Sequence, residues 1–313
     1  MSAAEDRQQE IQPNEIDERL AVVEEMLADK KVKLPDDVFK RAEAGLKNIN
    51  EKLEKKLPIY ESDFDFIEEL KDTIKIAQQY NEAMDSLKEY GLYNSEDANS
   101  KDKKPPTDEY VMQIIGSKLT KEQKEAINKM QKPVLQIVPN RTCEEYVSAL
   151  NKNKPMVNEE GGAYVSDWTK GAFGRANTRD NAKNGRITGW KVVITEGADA
   201  PAILSGDDTG KTLEERFKWF KDNFESKSIS GIDIKSYMLL QMAALAKTPP
   251  RPIDDYQGSD KTLTMLNNEE IFENTVSGVY WRDYRRQVRL FEGRAGDQDV
   301  RARFRLSVVV DVP

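Results

Sequence analysis

Between Arg282 and Arg305 the chain carries eight arginines (282, 285, 286, 289, 294, 301, 303 and 305) against four acids. Guanidinium groups form forked, charge-assisted hydrogen bonds with carboxylates and phosphates, so such a run is either an internal ion-pair network or a site for an anion. Side chains alternate along an extended strand, which puts Arg301, Arg303 and Arg305 on one face and Ala302, Phe304, Leu306, Val308 and Val310 on the other. Arg285, Gln287 and Arg289 form a second row on the preceding strand. Two such rows on a shared face would repel, and carboxylates of the same chain or an external anion must then offset them. Arg285, Arg289, Arg301, Arg303 and Arg305 are therefore the candidate anion- or partner-binding residues. Tyr280, Trp281 and Tyr284 beside them could stack on bases or pack into a core.

Other chemistry is limited by what the chain lacks. There is no histidine, which removes imidazole bases, histidine-containing triads and histidine metal ligands. A single cysteine, Cys143, allows neither an internal disulfide nor a thiolate zinc cage. It stands at a predicted helix start, where a dipole could favour thiolate, but Glu144 and Glu145 oppose that. Gly206–Thr212 looks like a phosphate loop, yet three residues rather than four separate its glycines, and Asp207 and Asp208 would repel phosphate. Thr212 is better read as a helix N-cap with Glu215 completing a capping box. The acidic loops at Asp207-Asp208, Asp254-Asp255…Asp260 and Asp297-x-Asp299 offer oxygen ligands but not the spacing of a calcium loop. No catalytic residue, cofactor or metal is assigned.

These residues need elements to hold them. Acidity is confined to the N-terminal third: residues 1–92 carry net charge −9, residues 93–132 net +1 and residues 133–313 net zero, making up the overall −8. Within that third, Ile16, Leu20, Val23 and Leu27 recur at helical spacing, with Asn14 as a candidate cap. Phe39, Ala42, Leu46, Ile49 and Leu53 follow a heptad behind Pro35, and Ile67, Leu70, Ile74, Ala77, Met84 and Leu87 form a third stripe ending at Gly91. An acidic helical hairpin or coiled-coil arm is expected over 1–92. Its narrow seam, Phe39, Leu46, Ile49, Leu53, Ile67, Leu70 and Ile74, could receive a partner helix or close on its own neighbours. Residues 93–107 read as a linker ending in Pro105-Pro106.

From 108 onward strands and helices mix without regular βαβ alternation. Short helices are expected at 108–119 and 121–130, strands at 134–138 and 187–194, and helices at 142–150, 212–224 and 233–247. A C-terminal antiparallel hairpin is expected from 284–291 and 300–312. The fold class is α+β, with a helical arm, a linker and an α+β domain over 108–313. No apolar run reaches the ~18 residues of a membrane span, and the stretch after Met1 lacks an export-signal core, so a cytoplasmic location is expected.

Lys132–Pro139 and the pattern Trp281…Arg286-Gln-Val…Ala302-Arg-Phe-Arg305 resemble stretches in functionally unassigned proteins of small-genome, candidate-phylum bacteria. Arg303–Val309 is similar to the closing strand of C-type-lectin-like and formylglycine-generating-enzyme-like domains. That resemblance implies a ligand-displaying scaffold whose last strand pairs with an early one, for which 134–138 is available. The catalytic cysteines of the formylglycine-generating enzymes have no counterpart here. The functional expectation is a non-enzymatic binding or scaffolding protein that recognises another protein, or itself, through the arm seam, the arginine face or both. An enzyme using carboxylate, lysine or serine near 155–186 and a polyanion-binding module are the alternatives. Overall acidity argues against nucleic acid, and no membrane partner is expected.

Overall fold

A computed structural model of the chain describes residues 13–29, 32–93, 104–152, 190–201, 211–224, 226, 228–247, 249–256, 262–266, 275–282 and 287–310. The fold is mixed α+β. No helix among the described residues is long and apolar enough to cross a membrane. Two compact units are present, one from Met1–Glu82 with Thr107–Lys118, the other from Ala83–Pro106 with Leu119–Pro313.

The first unit is built on α1 (Pro13–Ala28), α2 (Asp36–Glu54) and most of α3 (Glu61–Glu89). The helix starts follow local chemistry: Pro35 precedes α2, and Asp36 and Asp37 lie in its first turn where the helix dipole favours anions. Asn14 lies within α1 rather than ahead of it. Ile16, Leu20 and Val23, then Ala42, Leu46 and Ile49, then Phe64, Ile67, Leu70 and Ile74 form one buried cluster. Each fully buried Leu or Ile contributes about 1.5–3 kcal/mol through removal of apolar surface from water. The seam is thus closed by helices of the same chain, and Leu46, Ile49, Ile67, Leu70 and Ile74 are core rather than an open partner surface. Leu53 packs against this core partly buried. Phe39, in the first turn of α2 and ahead of the buried stripe, is 41% exposed. At Gly45 a Cβ would run into the Phe66 ring, which lies against α2 at that point. The short α4 (Asp108–Gln113), N-capped by Thr107, continues into a π-helical turn at Ile114–Lys118.

The second unit takes the end of α3. Tyr90 and Leu92 are buried, the Tyr90 hydroxyl donates to the Met242 carbonyl at 2.8 Å, and Arg141 donates to that of Leu92 at 3.2 Å. The compact units therefore divide within α3 rather than at residue 92, because these apolar residues find their burial with the C-terminal elements. Of the expected linker, residues 94–103 lie outside the described residues.

After α5 (Lys121–Asn128) come β1 (Pro133–Val138), α6 (Cys143–Lys152), β2 (Lys191–Glu196), α7 (Leu213–Phe224), β3 (Ile229–Gly231), α8 (Ile234–Leu245), β4 (Leu263–Met265), β5 (Thr275–Arg282), β6 (Gln287–Arg294), β7 (Ala302–Phe304) and β8 (Leu306–Val310). Capping boxes open three helices: Thr120 with Gln123, Thr142 with Glu145, and Thr212 with Glu215. The strands form two sheets, β1-β2-β8-β3 and β6-β5-β4-β7. All pairs are antiparallel except β4 with β7. The last strand does pair with an early one, but with β2 rather than β1. The C-terminal hairpin is β5–β6, not β6 with the closing strand. Only Arg305 separates β7 from β8, yet the two strands belong to different sheets. The predicted inward face is present: Ala302, Phe304, Leu306, Val308 and Val310 are all buried. Phe304 stacks on Phe220 of α7 with ring centroids 4.4 Å apart. α8 is buried almost all round.

Candidate functional site

The arginine run separates into two populations. Arg305, where the chain passes from one sheet to the other, is 0% exposed. All five of its N–H donors are used. Nε donates to Thr264 Oγ1 at 2.9 Å and Asp254 Oδ2 at 3.3 Å. Nη1 reaches the carbonyls of Glu196 (3.1 Å) and Ala198 (2.6 Å), and Nη2 reaches Asp199 O (3.2 Å) and Asp254 Oδ1 (2.9 Å). Asp254 is equally buried and also accepts from Thr262 Oγ1 at 3.0 Å and Thr264 Oγ1 at 2.6 Å. Its backbone is left-handed (φ 53°), a conformation aspartate tolerates better than most residues, and is held by Asp254 N to Asp199 O and Trp281 N to Asp254 O. Tyr237 of α8 faces this pair without closing a hydrogen bond of ordinary geometry. Burial pushes its hydroxyl pKa well above the usual value, and the Asp254 carboxylate adds to that while Arg305 opposes it.

A buried pair is tolerable only when its remaining hydrogen-bonding capacity is met, and here it is. Arg305 therefore has no donor left for an external anion, and its expected partner-binding role is corrected to a structural one. The reason is the change of sheet at this residue. It turns the side chain inward between strands instead of letting it follow Arg301 and Arg303.

The second population lies at the surface. Arg301 makes a forked contact with Asp299 (3.0 and 3.3 Å), and its guanidinium carbon sits 3.8 Å from the Tyr256 ring centroid. Tyr256 in turn lies 4.6 Å from Tyr280, centroid to centroid, and its hydroxyl is 3.4 Å from Asp299 Oδ2. Partial burial, with Asp299 adding, raises the Tyr256 pKa. Tyr280 pairs across the hairpin with Arg289, so Arg289, Tyr280, Tyr256 and Arg301 form one half-buried series at the end of the second sheet. Val300 beside them is 61% exposed.

The two expected rows of arginines do not face each other. Leu290, Val279, Thr264 and Arg303 are in register across the sheet and share a face, so Arg289, adjacent to Leu290, is on the opposite one. The strands also stand at opposite edges. The repulsion anticipated between rows is thus removed by topology. Arg303 turns to the carbonyls of Val300 and Ala302. Arg285 lies outside the described residues, as do Tyr284, residues 155–186 and the Gly206–Gly210 segment. Nothing in the chain's relationships adds to this: comparison with protein-family models, curated proteins and solved structures returns no match.

No group of three or more acidic or cysteine ligands is assembled among the described residues. Asp254 is committed to Arg305 and Asp299 to Arg301, while Asp297 accepts from the Arg294 backbone at 3.2 Å. Thr212 caps α7 as expected. The sequence did not show the part played by two residues: Asp254 was legible only as a loop carboxylate, and Tyr256 not at all. Asp254 is 51 residues from Arg305, and Tyr256 stands in a loop without periodicity. A signal for the buried network was nonetheless present: Thr262 and Thr264 alternate with Leu263 and Met265, a polar row beside an apolar one.

Proposed function

We propose that this is a non-enzymatic binding or scaffolding protein that recognises an acidic macromolecular partner, a protein, through the arginine–tyrosine series on its second sheet. The carrying observation is that series itself: Arg289 in register across from Tyr280, and Tyr280, Tyr256 and Arg301 in contact one after the other, all half-buried and therefore held in place before any partner arrives. Tyrosine and arginine dominate binding energy at protein interfaces because each presents a broad, pre-ordered contact area with a polar edge. Arg301 is pre-oriented by Asp299, and Arg289 makes no ion pair or hydrogen bond through its side chain among the described residues. The Tyr256 ring is already covered by Arg301 and Tyr280, which favours carboxylate recognition over stacking on nucleobases. The helical unit supports a scaffolding role less directly, since its seam is its own core.

Binding of fluorescent poly-glutamate and of a single-stranded oligothymidylate, each across a salt series, tests the reading. Poly-glutamate should bind more tightly at low salt, and Arg289→Gln with Arg301→Gln together should abolish most of that affinity. Tighter binding of the oligonucleotide, lost in the same variant, would replace the proposal with a polyanion-binding one.

A further inference from the structure

Among the described residues the two sheets present four edges, and three are blunted. β3 and β7 have three residues each, and β1 starts at Pro133, which has no N–H to offer. β6 is the exception. It runs eight residues, Gln287–Arg294, contains no proline, and among the described residues pairs only with β5. Between Gln287 and Gly293 its backbone groups that point away from β5 have no hydrogen-bond partner among the described residues. In an antiparallel pair every second residue directs its N–H and C=O outward, so among the described residues this edge is a row of open donors and acceptors.

Side chains along the edge specify what could use it. Val288 and Leu290 are buried on one face. Gln287 and Arg289 are on the other, half-buried, and the Arg289 Nε is enclosed without a partner. Natural edges of this length are usually guarded by bulges, prolines or charge. Arg289 serves as such a guard against a second copy, because two-fold pairing of β6 with itself would bring two uncompensated arginines together. The same charge attracts an acidic strand.

We infer that β6 is a strand-addition site for an extended acidic segment of a partner protein, with carboxylates at alternate positions facing Arg289 and apolar side chains facing Val288 and Leu290. This rests on the arginine–tyrosine reading above and adds its mode: backbone hydrogen bonds supply affinity, and the alternation of side chains supplies selectivity.

The experiment uses the full chain and three labelled eight-residue peptides. One alternates glutamate and valine, one has the same composition in two blocks, and one is the alternating peptide with every second backbone nitrogen methylated. Fluorescence anisotropy gives affinities, and amide hydrogen exchange follows residues 287–293. The alternating peptide should bind and slow exchange at outward amides of β6, with the blocked and methylated peptides and the Arg289→Gln protein each at least about tenfold weaker, the size of one charge-assisted hydrogen bond. If all three peptides bind alike and still need Arg289, strand addition is overturned while the acidic-partner reading stands. If none binds, or binding ignores Arg289→Gln, both are overturned. A homodimer that already protects β6 without peptide also overturns the inference.

Discussion

In the helical unit the paired cations stay at the rim. Arg19 bridges Glu15 and Glu68, and Lys52 holds Asp63 at 2.7 Å, but all these cations keep contact with water while isoleucine and leucine fill the middle. In the two-sheet unit a complete ion pair, Arg305 with Asp254, sits where an apolar core would be expected, and the flanking arginines are left at the surface. The contrast is one of how position is set. A helix places side chains by local periodicity, which in the helical unit sets the apolar stripe inward and the cations at its margin. A strand places them by register and by sheet membership, and at a junction between sheets a polar side chain can be captured by loops from distant parts of the chain. Arg305 is captured by the 196–199 segment, by Asp254 and by β4 together.

The sharpest way to break this contrast is Arg305→Gln. It leaves Asp254 charged and without its cation, and removes the guanidinium from the Glu196 and Ala198 carbonyls, while the Asp199 carbonyl keeps the Asp254 N–H. The two-sheet unit should lose about 3–5 kcal/mol, read as a lowered denaturation midpoint. A loss below about 1 kcal/mol would return Arg305 to the surface population. In the helical unit the corresponding test is apolar: Ile67→Ala should cost about 2–5 kcal/mol through lost burial and the residual cavity. Helical circular dichroism of that variant should melt earlier while poly-glutamate binding persists. Arg301→Gln removes an ion pair that is partly solvated, so stability should change by less than about 1 kcal/mol while affinity for acidic ligands falls.

The smallest effect is titrimetric. The Tyr237 pKa is raised in the folded chain above the unfolded value of about 10. Between those values the folded state holds the proton that the unfolded state has released, so this contribution is intact below about pH 10 and is lost as pH rises. Tyr237→Phe should therefore make stability fall less steeply above about pH 10, a difference that urea titrations at several alkaline pH values would show.

What the sequence made legible was local. Thr120, Thr142 and Thr212 announce their helices because a cap and its partner three residues on are a contiguous signal. The helical stripes and the buried row Ala302, Phe304, Leu306, Val308 and Val310 were legible for the same reason, although Arg305 and Ser307 of the alternate row are buried as well. The change of sheet at Arg305 was not. Alternation predicts which residues share a side of a strand, but not that the strand leaves its sheet midway. Nor could the stripe of α3 show that its last turn, with Tyr90 and Leu92, would be buried with the C-terminal elements. For the candidate site, Arg289 and Arg301 were visible as arginines in a row. Their surroundings were legible only in part: Asp299 stands two residues before Arg301, whereas Tyr256 is brought beside Arg301 only by tertiary structure.

The division of the arginines into an interior and a surface population can be measured directly by labelling the native chain with phenylglyoxal and locating the modified residues by peptide mass spectrometry. The exposed Arg294 should react first and the half-buried Arg289 and Arg301 next, with Arg305 unmodified until the chain is unfolded. Modification of Arg305 in the native chain at the rate of Arg301 would contradict the account.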